Sequence, residues 1–383
     1  MEINIEELQQ TNEIKITVAG VGGGGSNTIN HLSTHGVHKS INLIALNTDA
    51  QHLNTIESHS KIQLGEKTTK GLGAGMMPEI GRKSAEESYE IIKESFKDSN
   101  IVFVATGLGG GTGTGATPII ARAAKEIGAL TIAVVTKPFK FEGKQRERVA
   151  EDGLRELKEE VDSIIVIPNE KLLATVSKAL GMKDSLKLVD NVLSQAVNGI
   201  SSIILNDSNG GLNADYADLA KVMEFKGLAL IGIGDKDGED SAMEAVREAI
   251  ESPLLDNISI KGAKGAIVYF EVNDQYPISM LNDAGEVVEQ QIDPNAWFKT
   301  AWAFNNEMAP NQVKVTLVVT GFEKEILNKD INPESNNANI TMKPMKNSSS
   351  VALKKVSGLP ESLFDNQDVQ DLDYPAFLRN QRD

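Results

Sequence analysis

Residues 107–115 read GLGGGTGTG, six glycines in nine positions, directly after the apolar run IVFVA at 101–105. Glycine loses more conformational freedom on folding than any other residue, and a purely structural turn needs only one or two. A nest of backbone N–H groups around a polyphosphate would justify the rest. The same arrangement recurs upstream. IKITVAG at 14–20 reads as a buried strand, GGGG follows at 22–25, then Ser26, Asn27 and a helical stretch to about His35. Gly20, Gly22 and Gly25 match G-x-G-x-x-G, whose glycines let the backbone approach phosphate while the following helix N-terminus favours negative charge. A third glycine-rich stretch, KTTKGLGAGMMPEIG at 67–81, reads as a long loop. Three such stretches point to a triphosphate rather than a pyrophosphate. No G-x-x-x-x-G-K-[ST] occurs, so the chain is not a P-loop NTPase.

Outward from these loops, strands are expected at 41–47, 130–136 and within VDSIIVIP at 161–168. Helices are expected at about 82–97, 117–128 and 144–160. Strand, glycine loop and helix in repetition predict a doubly wound α/β domain with a parallel sheet. From Lys183 to Leu205, Val189, Val192, Leu193, Ala196, Val197, Ile200, Ile203 and Ile204 follow the 3–4 spacing of one long amphipathic helix. A polar loop, NDSNGGLNADYAD, comes next. A second α/β unit follows, with strands at 228–234, 264–272 and 312–321 and a helix at 239–251; alternation in the last strand predicts one solvated face. Asparagine and serine dominate 328–350, a composition too poor in apolar groups to fold, so a disordered linker is expected. In DLDYPAFLRNQRD at 371–383, Tyr374, Phe377 and Leu378 share one helical face, the form of a docking peptide. The expected organisation is an N-terminal extension at 1–13, a nucleotide domain at 14–182, the central helix at 183–205, a smaller α/β domain at 206–322, the linker at 323–370 and the terminal peptide at 371–383.

Composition narrows the function. The 383 residues carry 38 Lys+Arg against 54 Asp+Glu, a formal charge of −16, which disfavours a nucleic-acid surface. There is no cysteine, hence no disulfide and no thiolate chemistry. No run of ~18 apolar residues suggests membrane insertion, and the acidic start MEINIEELQQTNE is the reverse of a secretory leader. A cytoplasmic protein is expected. His31, His35 and His38 could share a helix face, but no further ligand completes a metal site, and a surface helix is the simpler reading. Trp297 and Trp302 are expected to pack in the second unit.

GGGTGTG at 109–115 is the signature of the tubulin/FtsZ family, and the chain resembles its FtsZ branch of bacterial cell-division GTPases over nearly its whole length. The supporting strings are GVGGGGSN (20–27), NTDAQ (47–51), TKGLGAGMMPEIG (69–81), KPFKFEGKQR (137–146), NADYAD (213–218) and LDYPAFLRNQ (372–381). The resemblance implies a tubulin-like fold that binds GTP or GDP with Mg²⁺. Nucleotide contacts are implied at Gly22, Gly23, Gly24, Gly25, Ser26, Asn27 and Asn47. Phosphate contacts are implied at Gly73, Ala74 and Gly75 and at Gly110, Gly111, Thr112 and Gly113. Glu142 would bond the ribose, with Arg146 beside it, while Asn169 and Asp190 would read the base. A carboxylate at Asp190 suits the paired N1–H and N2–H donors of guanine, which adenine lacks. Leu186 stands where the family commonly stacks a Phe on the base, which predicts a somewhat weaker grip.

The resemblance also implies that Asn213, Asp215 and Asp218 are catalytic on a neighbour's nucleotide. The central helix spans ~34 Å at 1.5 Å per residue, so carboxylates past its end are too far to reach the γ-phosphate of a nucleotide whose base Asp190 holds. Head-to-tail filaments follow, with Asp215 and Asp218 polarising the attacking water and Asn213 helping to place it. Leu372, Tyr374, Pro375, Phe377 and Leu378 would dock membrane tethers and regulators on the inner face of the membrane. Two alternatives stand beside this reading: an NAD-dependent dehydrogenase, for which the acidic residue after the second strand is poorly placed, and a tubulin-like plasmid-segregation filament.

Overall fold

The computed structural model describes residues 14–175, 181–205, 212, 214–225, 227–252 and 260–322. Asn213, the N-terminal extension, the linker and the terminal docking peptide lie outside them. The elements in chain order are β1 (Ile16–Val21), α1 (Gly22–His35), β2 (Ile41–Asn47), α2 (Ala50–Asn54), β3 (Ser60–Gln63), α3 (Glu66–Thr69), α4 (Pro78–Glu87), α5 (Tyr89–Ser95), β4 (Ile101–Gly107), α6 (Thr112–Glu126), β5 (Leu130–Lys137), a 3₁₀ turn (Lys140–Glu142), α7 (Lys144–Glu160), β6 (Ser163–Pro168), α8 (Asn169–Thr175), α9 (Met182–Leu205), α10 (Tyr216–Met223), β7 (Gly227–Asp237), α11 (Ser241–Ile250), β8 (Gly265–Val272), α12 (Ile278–Glu289), β9 (Trp297–Phe304) and β10 (Gln312–Thr320).

All ten strands among the described residues join one sheet in the order β3-β2-β1-β4-β5-β6-β7-β10-β8-β9. From β3 to β7 every pairing is parallel, as apolar runs such as ITVAGV, buried throughout, require. β10 runs antiparallel to both β7 and β8, and β9 is parallel to β8. β1 has β2 on one side and β4 on the other, so the strand order reverses at the β1–β4 crevice. That reversal is where open α/β sheets bind ligands.

Helix α9 crosses one face of the sheet. Val189, Val192, Leu193, Ala196, Val197, Ile200 and Ile203 share a core with Ile29 and Leu32 of α1 and Ile165 of β6. Each fully buried aliphatic side chain contributes ~1.5–3 kcal/mol, so this stripe holds the helix in place. Asp184–Leu205 is long and apolar enough by composition to cross a membrane, but these side chains are taken up by the core. Trp297 and Trp302 pack against the apolar clusters on the two faces of the sheet, as expected.

Several expectations need correction. GGGG at 22–25 is the first turn of α1 rather than a loop, and α6 begins at Thr112, inside the second glycine stretch. Packing explains both: a Cβ on Gly25 would stand 2.2 Å from the Ala105 carbonyl oxygen, and one on Gly115 would stand 1.9 Å from that of Pro78. The stretch at 67–81 is loop only over 70–77, between α3 and α4. The helix expected at 82–97 breaks at Ser88 into α4 and α5; its hydroxyl accepts the Gly65 N–H at 3.0 Å. β10 lies between two strands and is buried from Val315 to Thr320; of its apparent polar face, Gln312 and Lys314 are part-exposed but Thr316 and Thr320 are interior. Thr320 satisfies its hydroxyl on the Val222 carbonyl oxygen at 2.7 Å. α1 ends at His35, so His38 is not on its face. His31 and His35 stack with ring centroids 3.9 Å apart, and no group of three metal-ligating side chains occurs among the described residues.

Candidate nucleotide site

Two helices start at the carboxyl ends of adjacent strands flanking the crevice, and neither N-terminus has a side-chain cap. Val21 precedes α1 and Gly111 precedes α6, both without a capping hydrogen bond. The first-turn N–H groups are therefore left for another acceptor. Beneath them the strands are tied together, since the Thr106 hydroxyl donates to the Val21 carbonyl oxygen at 3.0 Å.

The glycines sort into two kinds. Gly20, Gly25, Gly113 and Gly115 are required by close packing; a Cβ on Gly113 would stand 2.6 Å from the Gly107 carbonyl oxygen. Gly110 has nothing within 4 Å of its Cβ position, and Gly23 only the His52 ring at 4.0 Å. Protein packing does not explain these two; open space for a ligand does. The loop at 70–77 closes on the same place. Lys70, Gly71, Gly73, Gly75 and Met76 all have positive φ, and a Cβ on Gly111 would stand 2.9 Å from that of Ala74. Thr48 fastens the assembly: its hydroxyl lies 2.6 Å from that of Thr112, and its carbonyl oxygen accepts the Gly73 N–H at 3.1 Å.

The remaining residues flank this centre. Asn47 ends β2 and is buried. Glu142 caps its own 3₁₀ turn by accepting the Phe139 N–H at 2.9 Å and is ion-paired with Arg146 one helical turn on. Asn169 opens α8, whose Glu170 carboxylate accepts the Lys140 N–H at 3.2 Å and so joins the two segments. Asp190 and, one turn before it, the half-exposed Leu186 sit in the first half of α9, a helix that packs on α1 and α8. Burial pushes the Asp190 carboxyl up to about 6, and no hydrogen-bond donor among the described residues offsets this. Ser26 Oγ, Arg146 Nε and Asn169 Oδ1 are also buried without a partner. Buried polar groups are nearly always satisfied; these three lie among the residues expected to meet the nucleotide, while His31 Nδ1, Tyr89 Oη and Ser201 Oγ are likewise unpaired elsewhere.

Residues 15–177 match the model of the Tubulin/FtsZ family GTPase domain, and residues 227–323 match that of the FtsZ family C-terminal domain. The "Cell division protein FtsZ" of Helicobacter pylori strain J99 is 51% identical over 310 residues, 81% of this chain and 80% of that protein. The chain belongs to the FtsZ family. It is thus a tubulin-like GTPase of bacterial cell division, with GTP and GDP as its nucleotides. The FtsZ of Buchnera aphidicola is 40% identical over 389 residues, 99% of this chain and 100% of that protein. A solved structure described as an empty FtsZ dimer of M. jannaschii superposes with a TM-score of 0.76 at 42% identity, covering 88% of this chain and 96% of that one.

The acidic loop of this FtsZ family member is far from the glycine loops. Leu212 is held by the Trp302 N–H on its carbonyl oxygen at 2.9 Å. Asp215 and Asp218 form a reciprocal cap at the start of α10: Asp215 Oδ1 accepts the Asp218 N–H at 2.9 Å and Asp218 Oδ2 the Asp215 N–H at 3.1 Å. Lys299 Nζ stands 3.2 Å from the same Asp218 Oδ2. The Tyr216 hydroxyl reaches the Asn100 carbonyl oxygen at 3.5 Å; burial raises its pKa, with the Asp162 carboxylate, just before β6, adding to the shift. Asn100 precedes β4, whereas the glycine loop follows it. At ~3.3 Å per residue, the seven residues of β4 separate the two by ~23 Å. Thr48, His52 and Lys299 went unnoticed in the sequence; a lone Thr, His or Lys carries no spacing signal, and only the fold shows what each touches.

Proposed function

We propose that GTP hydrolysis in this protein requires a stack of subunits, each carrying nucleotide at one end and the acidic loop at the other. The observation that carries the reading is the ~23 Å of β4 between the glycine loop and Asn100, beside which α10 sits. Asp215 and Asp218 cannot reach their own subunit's triphosphate, so they act on that of the next copy. The contact is heterologous and builds an open filament. Apolar side chains stand exposed near both ends, Leu72 and Phe141 beside the nucleotide loops and Leu212 beside the acidic loop. Burying them on stacking favours assembly. The relative described as a dimer supports self-association.

In the stack, the α1 and α6 N-termini hold the phosphates. Asn169 and Asp190 read guanine, Leu186 covers its face, and Glu142 and Arg146 meet the ribose. Asp218 Oδ2 is occupied by Asp215 N–H and Lys299, which leaves Oδ1 and the second Asp215 oxygen to orient water toward the neighbour's γ-phosphate, with Asn213 aiding. The residues present would accommodate Mg²⁺ as a hard, oxygen-preferring cation. The Thr48 and Thr112 hydroxyls are hard donors nearby, and no carboxylate cage competes among the described residues. The ion would supply charge neutralisation of the phosphates. The chain divides at the central helix into nucleotide and C-terminal parts. Its terminal peptide, through Leu372, Tyr374, Pro375, Phe377 and Leu378, recruits membrane tethers and regulators from the cytoplasmic side. Phosphate release per subunit, measured against protein concentration, tests the shared site: it rises steeply through the assembly threshold. Turnover independent of concentration refutes it.

A further inference from the structure

One backbone donor fixes the direction of a whole hydrogen-bond chain beside the first glycine turn. The Asp49 N–H can only donate, and it donates to Asn47 Oδ1 at 3.2 Å. That pins the Asn47 amide, so its Nδ2 is the atom 3.2 Å from His52 Nδ1. An amide nitrogen accepts no hydrogen bond, so His52 Nδ1 is the acceptor and bears no proton. The ring proton is then on Nε2, which stands 3.2 Å from Asn27 Oδ1 and donates to it. With its carbonyl engaged, Asn27 keeps only its NH₂ group to offer elsewhere. His52 is itself held in place, because Asp49 Oδ1 accepts its backbone N–H at 3.0 Å. Its ring borders the open space at Gly23, in the uncapped first turn of α1.

We propose that His52 is a positioning residue of the nucleotide site. Its neutral ring bridges Asn47 and Asn27 and turns the Asn27 amide so that NH₂, a donor, faces the oxygen atoms of the bound guanine nucleotide. The proposal rests on the reading of Asn27 as a nucleotide contact. His52 acts through orientation, not charge, and need not touch the nucleotide. Without the bridge the Asn27 amide is free to rotate, and in half of its orientations a carbonyl oxygen faces ligand oxygens, acceptor against acceptor. The ring also ties α1 to the end of β2, two elements that each supply nucleotide contacts.

The test uses the full chain, labelled GDP as probe and protein below its assembly threshold. Binding is compared for the parent, His52→Leu, His52→Gln, Asn27→Ala and the His52→Leu/Asn27→Ala double variant. His52→Leu keeps bulk without polar atoms and weakens GDP binding about fivefold, the scale of one neutral hydrogen bond. His52→Gln restores most of the affinity, since its amide offers one acceptor and one donor. Asn27→Ala weakens binding by a similar factor, and the double variant binds no worse than Asn27→Ala alone, the non-additivity of two residues on one path. In the assembled protein, His52→Leu raises KM and leaves kcat unchanged. A merely structural role would instead lower the melting temperature and gain nothing from Gln. Parent-like binding by His52→Leu, with Asn27→Ala weakened, overturns the proposal alone, as do fully additive losses. Parent-like binding by Asn27→Ala overturns the reading beneath it and the proposal with it.

Discussion

With Asp190 in its proposed role as the base-reading carboxylate, guanine recognition is linked to pH. In the free protein its carboxyl is raised from 3.8 to about 6 by burial alone. Only the ionised form offers both oxygens as acceptors to guanine N1–H and N2–H, so protons compete with the nucleotide. At about pH 7 roughly nine-tenths of the free protein carries the carboxylate, and at about pH 5 roughly one-tenth. The apparent Kd for GDP therefore rises about tenfold between the two, or ~1.4 kcal/mol. Stability moves the opposite way. A carboxyl whose folded pKa lies above its unfolded value destabilises the free fold as pH rises from about 4 to 6, here by ~3 kcal/mol at most. Asp190→Asn removes that penalty: the nucleotide-free variant melts higher at neutral pH, yet binds guanine nucleotides at least tenfold more weakly, having lost a charge-assisted acceptor. The assay is a labelled-GDP titration of parent and variant at both pH values, with nucleotide-free melting curves alongside. Phosphate protonation affects both proteins equally, so the ratio of their affinities isolates Asp190. A ratio unchanged between about pH 7 and 5, or a variant that melts lower, refutes the reasoning.

Other outcomes follow from the same geometry. Asp215→Asn keeps a good N-cap for α10 and melts like the parent, whereas Asp215→Ala also loses ~1 kcal/mol of capping; both lose phosphate release per polymerised subunit, measured on sedimented filaments. Gly110→Ala folds, because nothing meets its Cβ, but binds nucleotide poorly; Gly115→Ala fails to fold, because its Cβ would stand 1.9 Å from the Pro78 carbonyl oxygen. Soluble yield and GDP titration separate the two. Leu186→Phe tightens guanine binding up to about fivefold by adding ~1 kcal/mol of ring stacking; equal affinities in the same titration count against Leu186 as the base platform.

The strands that position the site were plain in the sequence because both of their faces are buried: ITVAGV and INLIALN need no tertiary information to be read as parallel strands. The glycine stretches were harder. Their low helix propensity suggested loops, but Gly25, Gly113 and Gly115 sit in helices because neighbouring carbonyls approach where a Cβ would be. Sequence could not separate these from Gly110 and Gly23, which face open space. β10 misled because threonine counts as polar in a pattern yet is readily buried once its hydroxyl finds a carbonyl, as Thr320 does. α12 and β9 were missed because Ser279, Asn282 and Asp283 dilute the first and Lys299 and Thr300 the second. In the sequence, the acidic loop shows the Asn213, Asp215 and Asp218 side chains in a polar turn. That the two carboxylates also cap a helix and share one oxygen with Lys299 depends on β9 lying alongside, which no local pattern reveals.

The parallel strand β4, with its phosphate loop at one end and the α10 side at the other, is in effect a measuring rod. Lengthening or shortening it by a pair of residues would keep every side chain on its proper face, yet it would move the two proposed half-sites of a subunit by ~7 Å relative to each other. Such a chain could still fold and take up its nucleotide, but the spacing of its filament would no longer match that of its unaltered relatives. Copies of different rod length would therefore exclude one another from a common polymer, a sorting rule written in strand length rather than in surface chemistry.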